Sequence, residues 1–202
     1  MLTIELFGVS RTGKTSTLRK LVSRLEQQGE TCAIVSRAPL AFKDCKGLED
    51  FHDQMFRYME TSLQEHTATR PNYIVMDRGP YDREIMLEAD HADGQVSSGF
   101  YRGMIERIES LQQSIDLPLL FMIDPRTSLA RIPTQIDEGL AYVQMCEGLN
   151  TRDNTNELQR LHDRYSRLQQ IKPAISLIDT SGTADNSVES VLREIKLKTT
   201  GA

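Results

Sequence analysis

The octet Gly8-Val9-Ser10-Arg11-Thr12-Gly13-Lys14-Thr15 meets the spacing G-x-x-x-x-G-K-[ST] at every fixed position. That spacing serves a physical purpose. The two glycines permit backbone turns that a Cβ would hinder, so successive N–H groups can converge on phosphate oxygens where a helix begins. A lysine at the sixth step after the first glycine reaches the outer phosphates of a nucleoside triphosphate, and the hydroxyl beside it holds Mg²⁺. Lys14 and Thr15 occupy those positions, while Gly8, Ser10, Arg11, Thr12, Gly13 and Ser16 complete the candidate ATP-binding set. Arg11, inside the loop, could stabilise charge on a transferred phosphoryl group, the alternative being a solvated loop residue.

A second cluster, Asp77-Arg78-Gly79, follows the short apolar run Tyr73-Ile74-Val75-Met76. A hard cation prefers oxygen ligands, so Asp77 is the candidate carboxylate that joins Thr15 in anchoring Mg²⁺. The catalytic candidates are therefore Arg11, Lys14 and Asp77. For Asp77 the alternative is a helix N-cap, and for Arg78 a surface ion pair.

These residues need a scaffold that brings strand ends together. Apolar runs recur at 2–7, 31–36, 73–77, 118–124 and 174–179, with helical-period segments between them. Strand and helix in alternation predict an α/β fold: a five-stranded, mostly parallel sheet with helices on both faces. Helices are expected at 14–28, 47–67, 82–90, 99–115, 126–146, 155–171 and 186–197. Pro118 and Pro173 are expected to precede the fourth and fifth strands, where a missing N–H costs least. In an open sheet of this kind ligands collect at the carboxyl ends of the strands, where both clusters fall.

A length of 202 residues suits one domain, 1–202, able to bury about 70% of its unfolded surface. Three widely spaced cysteines, Cys32, Cys45 and Cys146, form no C-x-x-C pair and suggest neither a disulfide framework nor a zinc site. No leader-like segment opens the chain, and no apolar stretch approaches the ~18 residues that span a bilayer, so a cytoplasmic protein without a membrane partner is expected. A formal net charge of −5 argues against a general nucleic-acid surface. His91 and Asp93 are read as loop residues, since no third metal ligand stands at useful spacing.

The loop, with Ser10-Arg11 where an Asp-Arg pair is usual, resembles that of eukaryotic-type thymidylate kinases. Further segments resemble that family's landmarks in the same order. Ser36-Arg37-Ala38-Pro39 is similar to T-R-E-P, Phe56-Arg57-Tyr58 to N-R-W, and Asp77-Arg78-Gly79 to D-R-Y. Asp124-Pro125 with Leu129-Ala130-Arg131 resembles the D-P-x-x-x-L-x-R that opens a lid, Arg152-Asp153-Asn154 the lid segment, and Ile178-Asp179-Thr180-Ser181 the closing strand and loop. The resemblance implies the P-loop NTPase fold with a small helical lid over about 126–155, and the cofactors ATP and Mg²⁺. It also implies an acceptor held by Arg57 and Arg78 with Arg37 nearby, lid contacts to ATP from Arg131 and Arg152, and a homodimer. For the two lid residues an ordinary solvated arginine is the alternative.

Two carboxylates of the family pattern are missing, since Ser10 and Ala38 stand in their places. The acceptor expected is therefore a small molecule, a nucleoside monophosphate or a nucleoside-like compound, rather than thymidylate in particular. Asp82 and Glu84 could supply a replacement carboxylate to orient an acceptor hydroxyl, or could simply favour a helix dipole. A kinase for another hydroxyl-bearing metabolite or a nucleic-acid 5′ end stays open. So does a nucleotide-dependent switch, although neither N-K-x-D nor a D-x-x-G after the third strand occurs.

Overall fold

The computed structural model describes residues 1–36, 44–130 and 155–201. Strands β1 (Leu2–Gly8), β2 (Cys32–Val35), β3 (Tyr73–Asp77), β4 (Leu117–Met122) and β5 (Ser176–Asp179) form one sheet in the order β2-β3-β1-β4-β5. All four pairings are parallel. The helices are α1 (Lys14–Gln27), α2 (Leu48–Thr69), α3 (Pro80–Ala92), α4 (Ser98–Gln112), α5 (Pro125–Ala130), α6 (Thr155–Ile171) and α7 (Ala184–Thr200). Parallel strands need long crossovers, and helices supply them.

Both faces of β1 are buried, as a central parallel strand requires. Ile4 and Leu6 join Leu18, Leu21, Leu25, Val191 and Ile195 in a core against α1 and α7. Phe7 points the other way, with Phe56, Ile85, Leu158 and Tyr165, into a core against α2, α3, α4 and α6. Period-two alternation puts Glu5 on that second face also. The strand expectations agree with the structure to within two residues at each end, except that Pro118 falls inside β4. It pairs with Glu5 on β1 but precedes Leu119, where the pairing to β5 begins.

Because β1 lies between β3 and β4, the chain leaving it emerges where the order of strands reverses, the place where such sheets bind ligands. Gly8 makes that exit feasible. Its φ is 122°, and a Cβ there would stand 2.2 Å from the carbonyl oxygen of Phe121 on β4. No helix among the described residues is long and apolar enough to cross a membrane. Most of the expected lid, 131–154, lies outside the described residues, with Arg131 and Arg152; so does Arg37.

Candidate phosphate-binding and transfer site

Residues 9–13 curl between β1 and α1 with left-handed backbone at Arg11 (φ 62°) and Gly13 (φ 84°). A non-glycine residue held at positive φ is uncommon, and such outliers collect at functional sites. Gly13 is the N-cap of α1 and offers no side-chain cap, which leaves the helix's first N–H groups aimed at the loop's concavity. Thr12 is buried and its hydroxyl donates to the Val9 carbonyl at 3.1 Å. Lys14 Nζ donates to Gly8 O (3.0 Å), Val9 O (2.5 Å) and Thr12 Oγ1 (3.0 Å), which sets the ammonium inside the curl. From the opposite side α5 steadies the loop, since Ser128 Oγ donates to Ser10 O at 2.9 Å.

Leu6 lies in register with Asp77, so the end of β3 comes alongside the start of the loop. The Thr15 hydroxyl donates to Asp77 Oδ2 at 3.0 Å, across 62 residues of sequence. A hydroxyl and a carboxylate side by side are hard oxygen donors, suited to a small divalent cation that takes its other ligands from phosphate and water. Among the described residues no group of three or more His, Cys, Asp or Glu side chains could hold a metal by itself. The donor set thus fits Mg²⁺ shared with a bound phosphate.

Arg78, also left-handed (φ 66°), turns the chain from β3 into α3. Its Nη1 donates to Asp82 Oδ1 at 2.6 Å. The same oxygen accepts from the Tyr165 hydroxyl of α6 at 2.7 Å, and Arg83 Nη2 stands 3.7 Å from Oδ2. Burial raises the Asp82 pKa, but the charges of Arg78 and Arg83, the Tyr165 hydroxyl and the charge of Lys14 outweigh it and bring the group to about 2. Asp82, expected among the acceptor-binding residues, therefore has both oxygens inside the protein and no exposed surface. It faces the arginines instead.

Sequence reasoning missed Glu5. It is fully buried in β1, and its carboxyl accepts the N–H groups of Gly79 (2.8 Å), Asp82 (3.0 Å) and Tyr81 (3.1 Å). Glu5 thereby caps α3 from beneath and fixes the turn that carries Arg78. Burial pushes its pKa up to about 8, against those three N–H groups, with the Asp82 charge adding to the rise. The available signal was a lone carboxyl in an apolar strand, which must find donors. Gly79 leaves it room: a Cβ would stand 2.8 Å from Glu5 Cδ and Oε2. Gly79→Ala is accordingly expected to cost about 1–3 kcal/mol, read as a lower midpoint in urea unfolding, because it must push the cap aside.

Arg57 lies on α2 with its side chain 70% exposed, and Nε contacts Asp53 Oδ2 at 2.8 Å. Arg107 of α4 reaches the other Asp53 oxygen at 2.7 Å and lies over the Phe56 ring. The Tyr58 hydroxyl stands 3.4 Å from Ser36 Oγ. Arg57 and Arg78 are thus on separate elements, each already paired with a carboxylate. His91 stacks on Tyr101 with centroids 4.2 Å apart and has Ser98 Oγ at 3.2 Å. Asp124 caps α5 by accepting the N–H groups of Arg126 and Thr127. Beyond it, a cleft of about 410 Å³ opens at the ends of β4 and β5, lined by Met122, Thr127, His162, Asp179 and Ser181 among others.

The sheet order, the curled loop and the Thr15–Asp77 pair define a P-loop NTPase fold. No protein-family profile matches the chain, and no curated protein matches it significantly in sequence. Solved structures do match. They include deoxyadenosine kinase from M. mycoides with bound dATP, at a TM-score of 0.66 and 16% identity over 96% of this chain and 100% of that one. The same kinase with products dCMP and a flexible dCDP gives 0.64 and 15%, and with bound dCTP 0.63 and 15%, each over 96% of this chain and 99% of the other. At such identity the likeness is one of fold, and it runs from end to end.

Proposed function

We propose that this protein is a P-loop kinase that transfers the γ-phosphoryl group of ATP to a hydroxyl of a nucleoside or nucleoside monophosphate. The observation that carries the reading is the convergence of Thr15 and Asp77, 3.0 Å apart, beside an ammonium held inside a loop of the nucleotide-binding spacing. A nucleoside-type acceptor has further support in the end-to-end likeness to a deoxyadenosine kinase.

Phosphoryl transfer asks a protein mainly for placement and charge neutralisation. Loop N–H groups and the Lys14 ammonium would hold the outer phosphates, a phosphate oxygen replacing the carbonyls that Lys14 now contacts. Arg11, on the loop, would approach the transferred group. Thr15 and Asp77 would hold Mg²⁺, which supplies positive charge against the phosphate oxygens. Arg78 would meet the acceptor from the other side of Asp77, while the cleft at the ends of β4 and β5 gives a donor base room.

Transfer of label from [γ-³²P]ATP to a panel of nucleosides, nucleoside monophosphates, oligonucleotides and non-nucleoside hydroxyl-bearing metabolites tests the proposal. Label should appear on a nucleoside or its monophosphate, and an oligonucleotide or a non-nucleoside metabolite as sole acceptor would overturn it. Asp77→Ala should lower turnover by about 10²-fold or more and raise the Mg²⁺ concentration needed for half-maximal rate. A magnesium titration of both proteins reads this directly, and unchanged half-saturation would remove Asp77 from the metal.

A further inference from the structure

Arg78 and Tyr165 come from distant parts of the chain, one at the end of β3 and one in the middle of α6, yet they donate to one oxygen of Asp82 at 2.6 and 2.7 Å. Tyr165 is fully buried, its ring tilted against Phe7 with centroids 6.2 Å apart, so the hydroxyl has a fixed origin. Helix α6 is further tied to α3 by Arg164 to Glu88 (3.5 Å), and Lys172, just past its end, contacts Glu84 (2.6 Å). Arg78 itself stands in a left-handed turn, a conformation that surrounding structure must hold in place. On the other flank Glu5 fixes the N–H groups of the same turn. An arginine meant only as a surface charge would need none of this.

We infer that Tyr165 and Asp82 form a positioning relay, in which α6, through the Tyr165 hydroxyl, sets the direction of the Arg78 guanidinium toward the acceptor. The inference rests on the kinase reading for what Arg78 touches, but not for how Arg78 is held. Two donors on one carboxylate oxygen narrow the geometry each can adopt, since each must keep its lone-pair direction and avoid the other. Removing the hydroxyl leaves Asp82 free to turn toward Arg83, and Arg78 turns with it. Tyr165 does not touch the acceptor and is not a catalytic residue. Its effect should fall on acceptor binding and spare the donor.

Tyr165→Phe keeps the ring against Phe7 and removes only the hydroxyl. We expect the KM for the best acceptor to rise about tenfold, the conversion of a lost hydrogen bond to a charged group, with the KM for ATP within twofold. A second readout needs no turnover. The Arg78 guanidinium NMR signals, assigned by their loss in Arg78→Lys, should show hindered rotation in the wild-type protein and faster rotation in Tyr165→Phe, where the carboxylate that holds the guanidinium has lost one of its anchors. The same rotation rate in both, or an unchanged acceptor KM beside a faster guanidinium, would overturn the relay. Equal rises in both KM values would overturn it also, by showing a general loss of structure. Failure of the wild-type protein to phosphorylate any acceptor would sink the kinase reading instead, and the rotation measurement would still decide the relay.

Discussion

Lys14→Ala should reduce kcat/KM for ATP-dependent transfer by about 10³-fold or more while the protein stays folded. The Lys14 ammonium is buried inside the loop, where it donates to the oxygens of Gly8, Val9 and Thr12. A cation so placed costs desolvation, and loop carbonyls are weaker partners for it than phosphate oxygens would be. The placement makes sense when charge develops on a bound triphosphate, since a fixed ammonium in a low-dielectric curl stabilises it without reorganising. Alanine removes that charge, yet the turn stays defined by Gly8, Gly13, Thr12 and the Ser128 contact to Ser10. Steady-state rates with saturating acceptor, beside circular dichroism melts of both proteins, check the two halves of the expectation. Wild-type rates in the variant would remove Lys14 from the reaction. Its charge also contributes to holding Asp82 ionised, so the variant should lose a little stability above about pH 4, a difference that closes as the pH falls toward 2.

What could be read from sequence was what local pattern encodes. The five strands and the loop were legible because a buried parallel strand is an apolar run and because the loop's glycines and lysine stand at fixed spacing. The approach of Asp77 to Thr15 followed once both were placed at strand ends of one sheet. Glu5 was not legible as a cap, because its three donors lie 74, 76 and 77 residues away and the strand gives no local sign of them. Tyr165 was hidden for the same reason, 83 residues from Asp82. Asp82 illustrates how a residue type in the expected place can serve another end. Near a helix N-terminus an aspartate reads as a free acid for a ligand or a dipole, but at this position α3 faces α6, and the packed interface has turned it inward. Arg57 was carried by a short resemblance, and no spacing said whether α2 would aim it at the site or, as found, pair it with Asp53 one turn earlier.

Asp82→Ala is the substitution expected to cost most in stability. The carboxylate has no exposed surface and accepts from Arg78 and Tyr165 while lying 3.7 Å from Arg83. Alanine would leave two guanidinium groups and a hydroxyl facing one another at the junction of β3, α3 and α6. Breaking a buried pair by removing one partner costs about 3–5 kcal/mol, because the remaining charge stays desolvated without compensation. Urea unfolding at neutral pH measures the loss, and a value under about 1 kcal/mol would mean that the cluster is solvated. The pH dependence adds a signature that a packing defect lacks. Asp82 has its pKa lowered from 3.8 to about 2, so the folded protein resists protonation that the unfolded chain accepts. The stability it contributes is present above pH 3.8 and is lost as pH falls through about 2; at about 1.4 kcal/mol for each tenfold difference, that is about 2 kcal/mol. Asp82→Asn keeps the shape and removes the titration, so the stability gap between it and the wild-type protein should narrow by that amount from pH 4 to pH 2. A gap that stays constant across this window would show that charge is not what Asp82 supplies. The arginines would then be held by shape alone.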